Sequence, residues 1–197
     1  MIEKHFCSRV VITLLIFLGV IFWSFYSVYV FNQTTIYAEN GLLENVQVLT
    51  LSIAGLFFFL PIVRQKRNDK LFLLFFAFLC LAFVLREVDI EDLNVPNFLI
   101  VIGSGAGRNI ILATGFFAIF SCSLFNLTHY KKVLRNFLSR CGVLIVTAGI
   151  LLCIGDFFEK VSSIQHNMFY EEMFELLGYV LILLVAFIYF KTGEQDI

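Results

Sequence analysis

The sequence contains few of the residues that water-soluble proteins place on their surfaces. Charged residues make up 15% of the 197 positions, and there are only two prolines and three histidines. Soluble domains carry about 25% charged residues. So small a charged fraction excludes an ordinary soluble domain. The net charge of −1 by itself says nothing about partners. We expect no nucleic-acid partner.

Cysteine pairs that could form a structural framework are also missing. The five cysteines are scattered along the chain, and no two of them form a Cys-x-x-Cys motif. An odd number without paired spacing predicts neither a set of disulfides nor a zinc site. We therefore expect these cysteines to act as small packing residues inside apolar segments.

Hydrophobic residues are abundant instead, at 60% of the chain with 25 phenylalanines and a mean hydropathy of +0.91. They are grouped into segments long enough to cross a bilayer. We predict an all-α fold, a polytopic transmembrane bundle of six helices that forms one integral membrane domain over residues 1–197. The predicted spans are about 10–31, 41–63, 71–92, 108–126, 141–158 and 171–190. No small-residue cleavage site follows the first span, so we expect it to be retained.

The basic residues are distributed unevenly between the two ends of these spans. With six spans and a cytoplasmic N-terminus, eleven of the fourteen lysines and arginines lie on the cytoplasmic side. Cytoplasmic loops of membrane proteins carry such an excess. The pattern predicts two cytoplasmic termini in a bacterial-type inner membrane. Eleven of the fifteen acidic residues lie at the opposite, outer end.

The loop before the fifth span contains Lys131, Lys132 and Arg135 among apolar residues at helical spacing. Such a segment can lie on the inner leaflet and attract anionic lipid, although a basic loop that only sets topology would look the same. Beyond the lipid bilayer, we consider a periplasmic or membrane protein partner, or a second copy of this chain.

The third span ends in charged residues that are unusually deep. Fifteen apolar residues, 71–85, precede Arg86, Glu87 and Asp89. Fifteen helical residues rise only about 22 Å, less than the hydrocarbon thickness of about 30 Å. We therefore expect the helix to continue past Leu85 and to carry these charges into the outer part of the membrane, where charged side chains usually have a role.

Polar and ionisable residues stand at the same end of five of the six spans. The candidate ligand-binding or ion-binding residues are Glu44, Gln47, Arg86, Glu87, Asp89, Arg108, Asn109, Asp156, Glu171 and Glu175. If they faced lipid as ions, central positions would cost about 2.5–3.5 kcal/mol each. We therefore expect them to face the bundle interior, either as a site for a cation or small polar ligand, or as ion pairs that only hold the helices together.

Four acids on different helices, Glu44, Glu87, Asp156 and Glu175, are predicted to converge on one outward-facing pocket. Glu87 and Asp156 lie at helix ends, where the helix dipole opposes a negative charge. They are therefore the stronger candidates for cation binding or proton exchange. Arg86 is expected to contact a carboxylate on another helix, and so is Arg108.

The excess of acid over base makes a divalent cation the candidate cofactor. His166 is the only histidine at the outer end. Together with Glu159 and Glu172 it could form a metal site. Catalytic residues cannot be assigned from the sequence.

The leading functional hypothesis is an inner-membrane receptor, transporter or accessory subunit with an acidic and arginine-containing site that faces outward. Two alternatives stay open. One is an intramembrane hydrolase or transferase acting at the outer leaflet, in which Glu87, Asp156 and Glu175 supply acid–base groups. The other is a purely structural membrane subunit.

Overall fold

The regular structure of the chain is helical throughout its described part. The computed structural model describes residues 2–38, 41–64, 69–88, 90, 96–125, 140–161 and 163–194, and no strand occurs among them. The helices are α1 (Ile2–Phe31), α2 (Leu42–Arg64), α3 (Lys70–Glu87), α4 (Asn97–Gly103), α5 (Gly105–Leu124), α6 (Arg140–Lys160) and α7 (Asn167–Glu194). This agrees with the predicted all-α fold.

Four helices are long and apolar enough to cross a membrane. These segments are Leu42–Arg64, Gly105–Leu124, Cys141–Lys160 and Asn167–Lys191. Helix α1 contributes a shorter apolar stretch, Leu15–Phe31. Helix α3 has 18 residues, and its charged residues stand at its two ends. Lys70 is the first residue, and Arg86 and Glu87 are the last two. The composition of these helices supports a helical membrane protein.

Several helix boundaries differ from the predicted ones. Helix α3 stops at Glu87 rather than continuing to residue 92, because Val88 takes an extended conformation with φ −91° and ψ 111°. Arg86 and Glu87 therefore form its last turn. The glycine-rich segment before the predicted fourth span contains a short helix, α4, and a break at Ser104 before α5 starts. Asp89 and the basic residues Lys131, Lys132 and Arg135 lie outside the described residues.

Helix α7 is the centre of the packing. It lies against α6 on one side and α2 on the other, α2 packs against α3, and α3 contacts α5. The main core is built from apolar and aromatic side chains of α2, α3, α6 and α7. Its fully buried members include Leu51, Ala54, Phe58, Leu73, Tyr179, Val185 and Ala186. Helix α5 is at the edge, and none of its residues is buried.

Helix α1 joins the bundle mainly through its last turns. Val28 is buried in a second apolar cluster with Leu43, Phe169 and Leu176. The hydroxyl groups of Tyr29 and Tyr170 lie 2.5 Å apart and form a hydrogen bond. The contact fixes α1 to the beginning of α7, at the end of the bundle where the charged residues lie.

The close contact of α6 with α7 depends on glycine. A Cβ atom at Gly178 would lie 3.0 Å from Cδ2 of Leu152 and 3.2 Å from the carbonyl oxygen of Ala148. Because one of these neighbours is backbone, the helices cannot adjust by a rotamer change alone. Close approach through small residues is typical of helices packed in a membrane.

We expect Gly178→Leu to lower the free energy of unfolding by about 1–3 kcal/mol, because the added side chain would overpack the contact of α6 with α7. The control is Gly149→Leu, on the open face of α6, where a Cβ atom meets nothing within 4 Å. Thermal unfolding of both variants in detergent would measure the difference. Equal melting temperatures for the two variants would contradict this account of the packing.

Candidate functional site

The last turn of α3 is joined to α7 by an ion pair. The guanidinium group of Arg86 donates from Nη2 to Oε1 of Glu175, and from Nε to Oε1 of Glu87 at 3.1 Å. The side chains of Glu87 and Glu175 are only 6% and 3% exposed, whereas that of Arg86 is 47% exposed. The prediction that Arg86 contacts a carboxylate of another helix is confirmed. One half-exposed arginine thus compensates two buried carboxylates.

A tyrosine completes this group. Tyr179 is fully buried one turn after Glu175 on α7, and its hydroxyl donates to Oε1 of Glu87 at 2.8 Å. Oε1 of Glu87 therefore accepts hydrogen bonds from both Arg86 and Tyr179. Sequence analysis missed Tyr179 because it stands in an apolar run. Its spacing of four residues from Glu175 places both on one helix face and was the available signal.

Helix α6 leaves room for the side chains of this group at Gly155. A Cβ atom at Gly155 would lie 2.9 Å from Cγ of Glu175 and 3.3 Å from the carbonyl oxygen of Glu171. Only the absence of a side chain at Gly155 lets the Glu175 side chain lie between α6 and α3. The glycine therefore belongs to the structural basis of the site, although it carries no functional group.

A second polar contact joins α2 to α7. The amide nitrogen Nε2 of Gln47 donates to the carboxylate oxygen Oε2 of Glu172 at 2.7 Å and to the backbone carbonyl oxygen of Glu172 at 2.9 Å. Gln47 is 0% exposed. Its amide oxygen Oε1 is buried and accepts no hydrogen bond from the described residues. Sequence analysis named both residues but placed them in different sites, since Glu172 was assigned to the metal group with His166.

The carboxylates around these contacts form what we call the glutamate cluster, contributed by α2, α3 and α7. Glu172 is close enough to Glu44, Glu87, Glu171 and Glu175 for their charges to act on it. Arg86 pairs with two members of the cluster. Like charges that act on one another repel, and protons, water or a bound cation would each reduce that repulsion.

Arg108 contacts a backbone carbonyl group at the end of α3. Its Nη1 donates to the carbonyl oxygen of Leu85 at 2.8 Å, and no carboxylate within the described ranges pairs with it, although we had expected one on another helix. Leu85 lies in the last turn of α3, whose carbonyl groups have no partner within the helix. A positive charge is also favourable at this end of the helix dipole. Arg108 therefore ties α5 to the end of α3. The neighbouring Asn109 is exposed.

Asp156 does not join the glutamate cluster, contrary to our expectation. It is exposed on α6, and its Oδ2 accepts a hydrogen bond from Nζ of Lys160 at 2.6 Å. This pair spans one helical turn, and both side chains are more than half exposed. The helical rotation of α6 explains the difference. Gly155, rather than Asp156, faces α7.

The predicted metal site at His166 is not formed. Nδ1 of His166 is hydrogen-bonded to the hydroxyl of Tyr37 at 2.9 Å, and the ring lies edge-on to Tyr29. Glu159 is exposed, whereas Glu172 contacts Gln47. Across the described ranges, no three His, Cys, Asp or Glu side chains are grouped so that they could hold a metal ion.

Neither a protein-family model nor any curated protein or solved structure matches this chain. The functional interpretation therefore depends on the geometry of the glutamate cluster and on the composition of the helices around it.

We expect Arg86→Leu to lower the free energy of unfolding by about 1–3 kcal/mol. It leaves Glu87 and Glu175 buried without their countercharge, but water reaches half of the arginine, which reduces the loss relative to a fully buried pair. The control, Lys160→Leu, breaks an exposed pair and should change stability by less than about 0.5 kcal/mol. Thermal or denaturant unfolding measures both.

The double variant Arg86→Leu with Glu175→Leu provides a second check. Removing both charged partners across the contact between α3 and α7 should recover part of the lost stability, because one of the two stranded carboxylates is gone. A double variant less stable than Arg86→Leu alone would show that the ion pair is not the reason for the loss.

Proposed function

We propose that this chain is a multi-pass protein of a bacterial-type inner membrane whose outward-facing glutamate cluster binds a cationic ligand. The protein would act as a receptor, a transporter or an accessory subunit. The observation that carries the proposal is that the buried carboxylates of Glu87 and Glu175 share Arg86, next to the carboxylate of Glu172, on which the charges of both act.

Six membrane spans are part of this proposal. Four helices meet the length and composition of a span, and α1 and α3 are the further two. The charged residues of α3 stand at its ends and not in its middle, so its apolar centre can occupy the hydrocarbon layer. The large exposed apolar side chains of α5, including Phe117 and Phe120, suit contact with lipid.

The uneven distribution of basic residues supports the proposed orientation. The end of α2 carries Arg64, and Lys191 lies near the end of α7. Placing these ends in the cytoplasm follows the preference of basic residues for that side. The glutamate cluster then opens outward. A cation arriving from outside would meet the half-exposed Arg86 and the half-buried acids of α7 first.

The chemistry of the cluster indicates the sign of the ligand. The guanidinium group of Arg86 contacts the carboxylates of Glu87 and Glu175, and its charge also acts on Glu171. The carboxylate of Glu172 lies within the influence of the same acids. An anionic ligand would add to the repulsion. A cation or cationic group would reduce it, and the low dielectric of the bundle would strengthen that attraction.

A structural role for the same residues is the second candidate. The ion pair of Arg86 with Glu175 joins α3 to α7 directly. Such a contact would exist in a protein that binds no ligand. The two roles differ in what happens when a carboxylate is replaced by an amide of the same shape.

With six spans, a reporter fused after Ile197 should be active only in the cytoplasm. Alkaline phosphatase, which needs the periplasm, should be inactive at this position, and green fluorescent protein should be fluorescent. A periplasmic C-terminus would overturn the proposed topology, because an odd number of crossings would then separate the two ends.

We expect a cationic probe to raise the melting temperature of the purified protein, and Glu87→Gln to remove that effect. Mg²⁺, Ca²⁺ and spermidine should be compared at equal ionic strength, because screening alone changes surface electrostatics. The amide keeps the shape of the carboxylate and can still accept from Tyr179. Asp156→Asn, which makes the same chemical change outside the cluster, should keep the full response.

The outcome separates the two roles. A response that disappears in Glu87→Gln but persists in Asp156→Asn supports cation binding. No response to any cation in the wild-type protein, inorganic or organic, would overturn the proposal and leave the ion pair as a helix contact.

A further inference from the structure

We infer that Gln47 and Glu172 bind a small monovalent cation, with Na⁺ as the ion of matching size, between α2 and α7. The inference rests on the proposed function and makes it more specific. It assigns one ion to a defined pair of side chains within the glutamate cluster.

The amide oxygen of Gln47 is the observation that points to a ligand. Gln47 is 0% exposed, and among the residues that the structure describes its buried Oε1 has no hydrogen-bond donor. Buried acceptors are nearly always paired with a protein group, water or an ion, because an unpaired one loses its hydration and gains nothing. The other atom of the same amide, Nε2, contacts Glu172 twice. Oε1 therefore belongs to an amide group whose other end is held by the carboxylate of Glu172.

The surroundings of Oε1 supply acceptors and negative charge. Oε2 and the carbonyl oxygen of Glu172 already share the Nε2 donor, and the charges of Glu44, Glu87 and Glu175 act on the same carboxylate. An occupant of this place must therefore bring positive charge or hydrogen-bond donors. Carboxylate, amide and carbonyl oxygens are the ligands that hard cations prefer.

Size and charge restrict the occupant further. Oε1 is buried, so a bulky organic cation cannot touch it without separating α2 from α7. A divalent ion prefers more carboxylate ligands, and Mg²⁺ gives up its water reluctantly. Within the described residues no group of three metal-binding side chains exists. One carboxylate with neutral oxygens matches a single positive charge.

An ion at this position would act on the contact between two helices. Gln47 lies on α2 and Glu172 in the early turns of α7. A bound ion would neutralise Glu172 and attach α2 to α7, next to the contact of α3 with α7 through Arg86. Occupancy would thereby lower the repulsion on Glu175 and Glu87, the acids that Arg86 compensates.

The test is a melting experiment on the purified full-length protein in nanodiscs, with NaCl replaced stepwise by choline chloride at constant ionic strength. Choline has the charge of Na⁺ but is too large for the site. At Na⁺ concentrations about ten times the dissociation constant, we expect a melting temperature about 3–6 °C higher than in choline. The dependence on Na⁺ should saturate as a single site does.

Two variants and one control connect the response to these residues. Gln47→Leu removes the acceptor, and Glu172→Gln removes the charge while keeping an amide that can pair with Gln47. Both variants should abolish the difference in melting temperature between Na⁺ and choline, whatever the stability of each variant in choline. Asp156→Asn makes the same acid-to-amide change in an exposed position and should keep the full difference.

The possible results distinguish this inference from the proposed function. Equal melting in Na⁺ and choline would overturn the sodium site and indicate a water molecule at Oε1. If Ca²⁺ or spermidine still stabilised the protein through Glu87 in that case, the proposed function would stand alone. A sodium response that persists in both Gln47→Leu and Glu172→Gln would place the ion elsewhere and overturn the assignment.

Discussion

A carboxylate within an apolar helix bundle is stable only when a countercharge or hydrogen-bond donors reach it, and the arrangement of this molecule follows from that requirement. Glu87 and Glu175 are nearly inaccessible, and Arg86 lies between them. Meeting the requirement fixes the distance between α3 and α7 and the rotation of both helices. The contact of Tyr179 with Glu87 results from the same rotation, because Tyr179 lies one turn from Glu175 on the face that meets Glu87.

The other helices pack where the contact of α3 with α7 leaves room or leaves polar groups without partners. Helix α6 can approach only where Gly155 leaves room for Glu175. Helix α2 presents Gln47 to Glu172, and α5 presents Arg108 to the carbonyl group at the end of α3. Each of these contacts is polar and lies at one end of the bundle. Toward the other end, packing is apolar and rich in aromatic rings, such as the stacked pair Phe58 and Phe76 at 5.4 Å.

The sequence predicted the helical class and the contact of Arg86 with a carboxylate of another helix, because both depend on composition along one segment. An arginine that follows fifteen apolar residues needs a countercharge nearby. The sequence could not predict the rotation of each helix about its own axis. The apolar residues surround these helices almost evenly, so nothing in the pattern indicates which face meets a neighbour.

Two residues show the consequence of that missing information. Asp156 and Gly155 are adjacent, and a rotation of one residue decides which of them faces α7. Tyr179 looks like any other apolar core residue until Glu87 is known to lie opposite its hydroxyl group. Gln47 was recognised as a site residue, but its partner on α7 was assigned elsewhere, since pairing between distant helices is a tertiary property.

The adjacency of Arg86 and Glu87 has a consequence for how the protein is made. The two residues leave the ribosome together, so in the proposed topology α3 would enter the membrane with a charge pair that is already neutral. Glu175 is 89 positions away from Arg86 and follows roughly 5–20 s later at ordinary rates of synthesis. In that topology α3 could stay in the bilayer without an uncompensated charge. Arg86 would keep a free side for Glu175, which joins it when α7 is made.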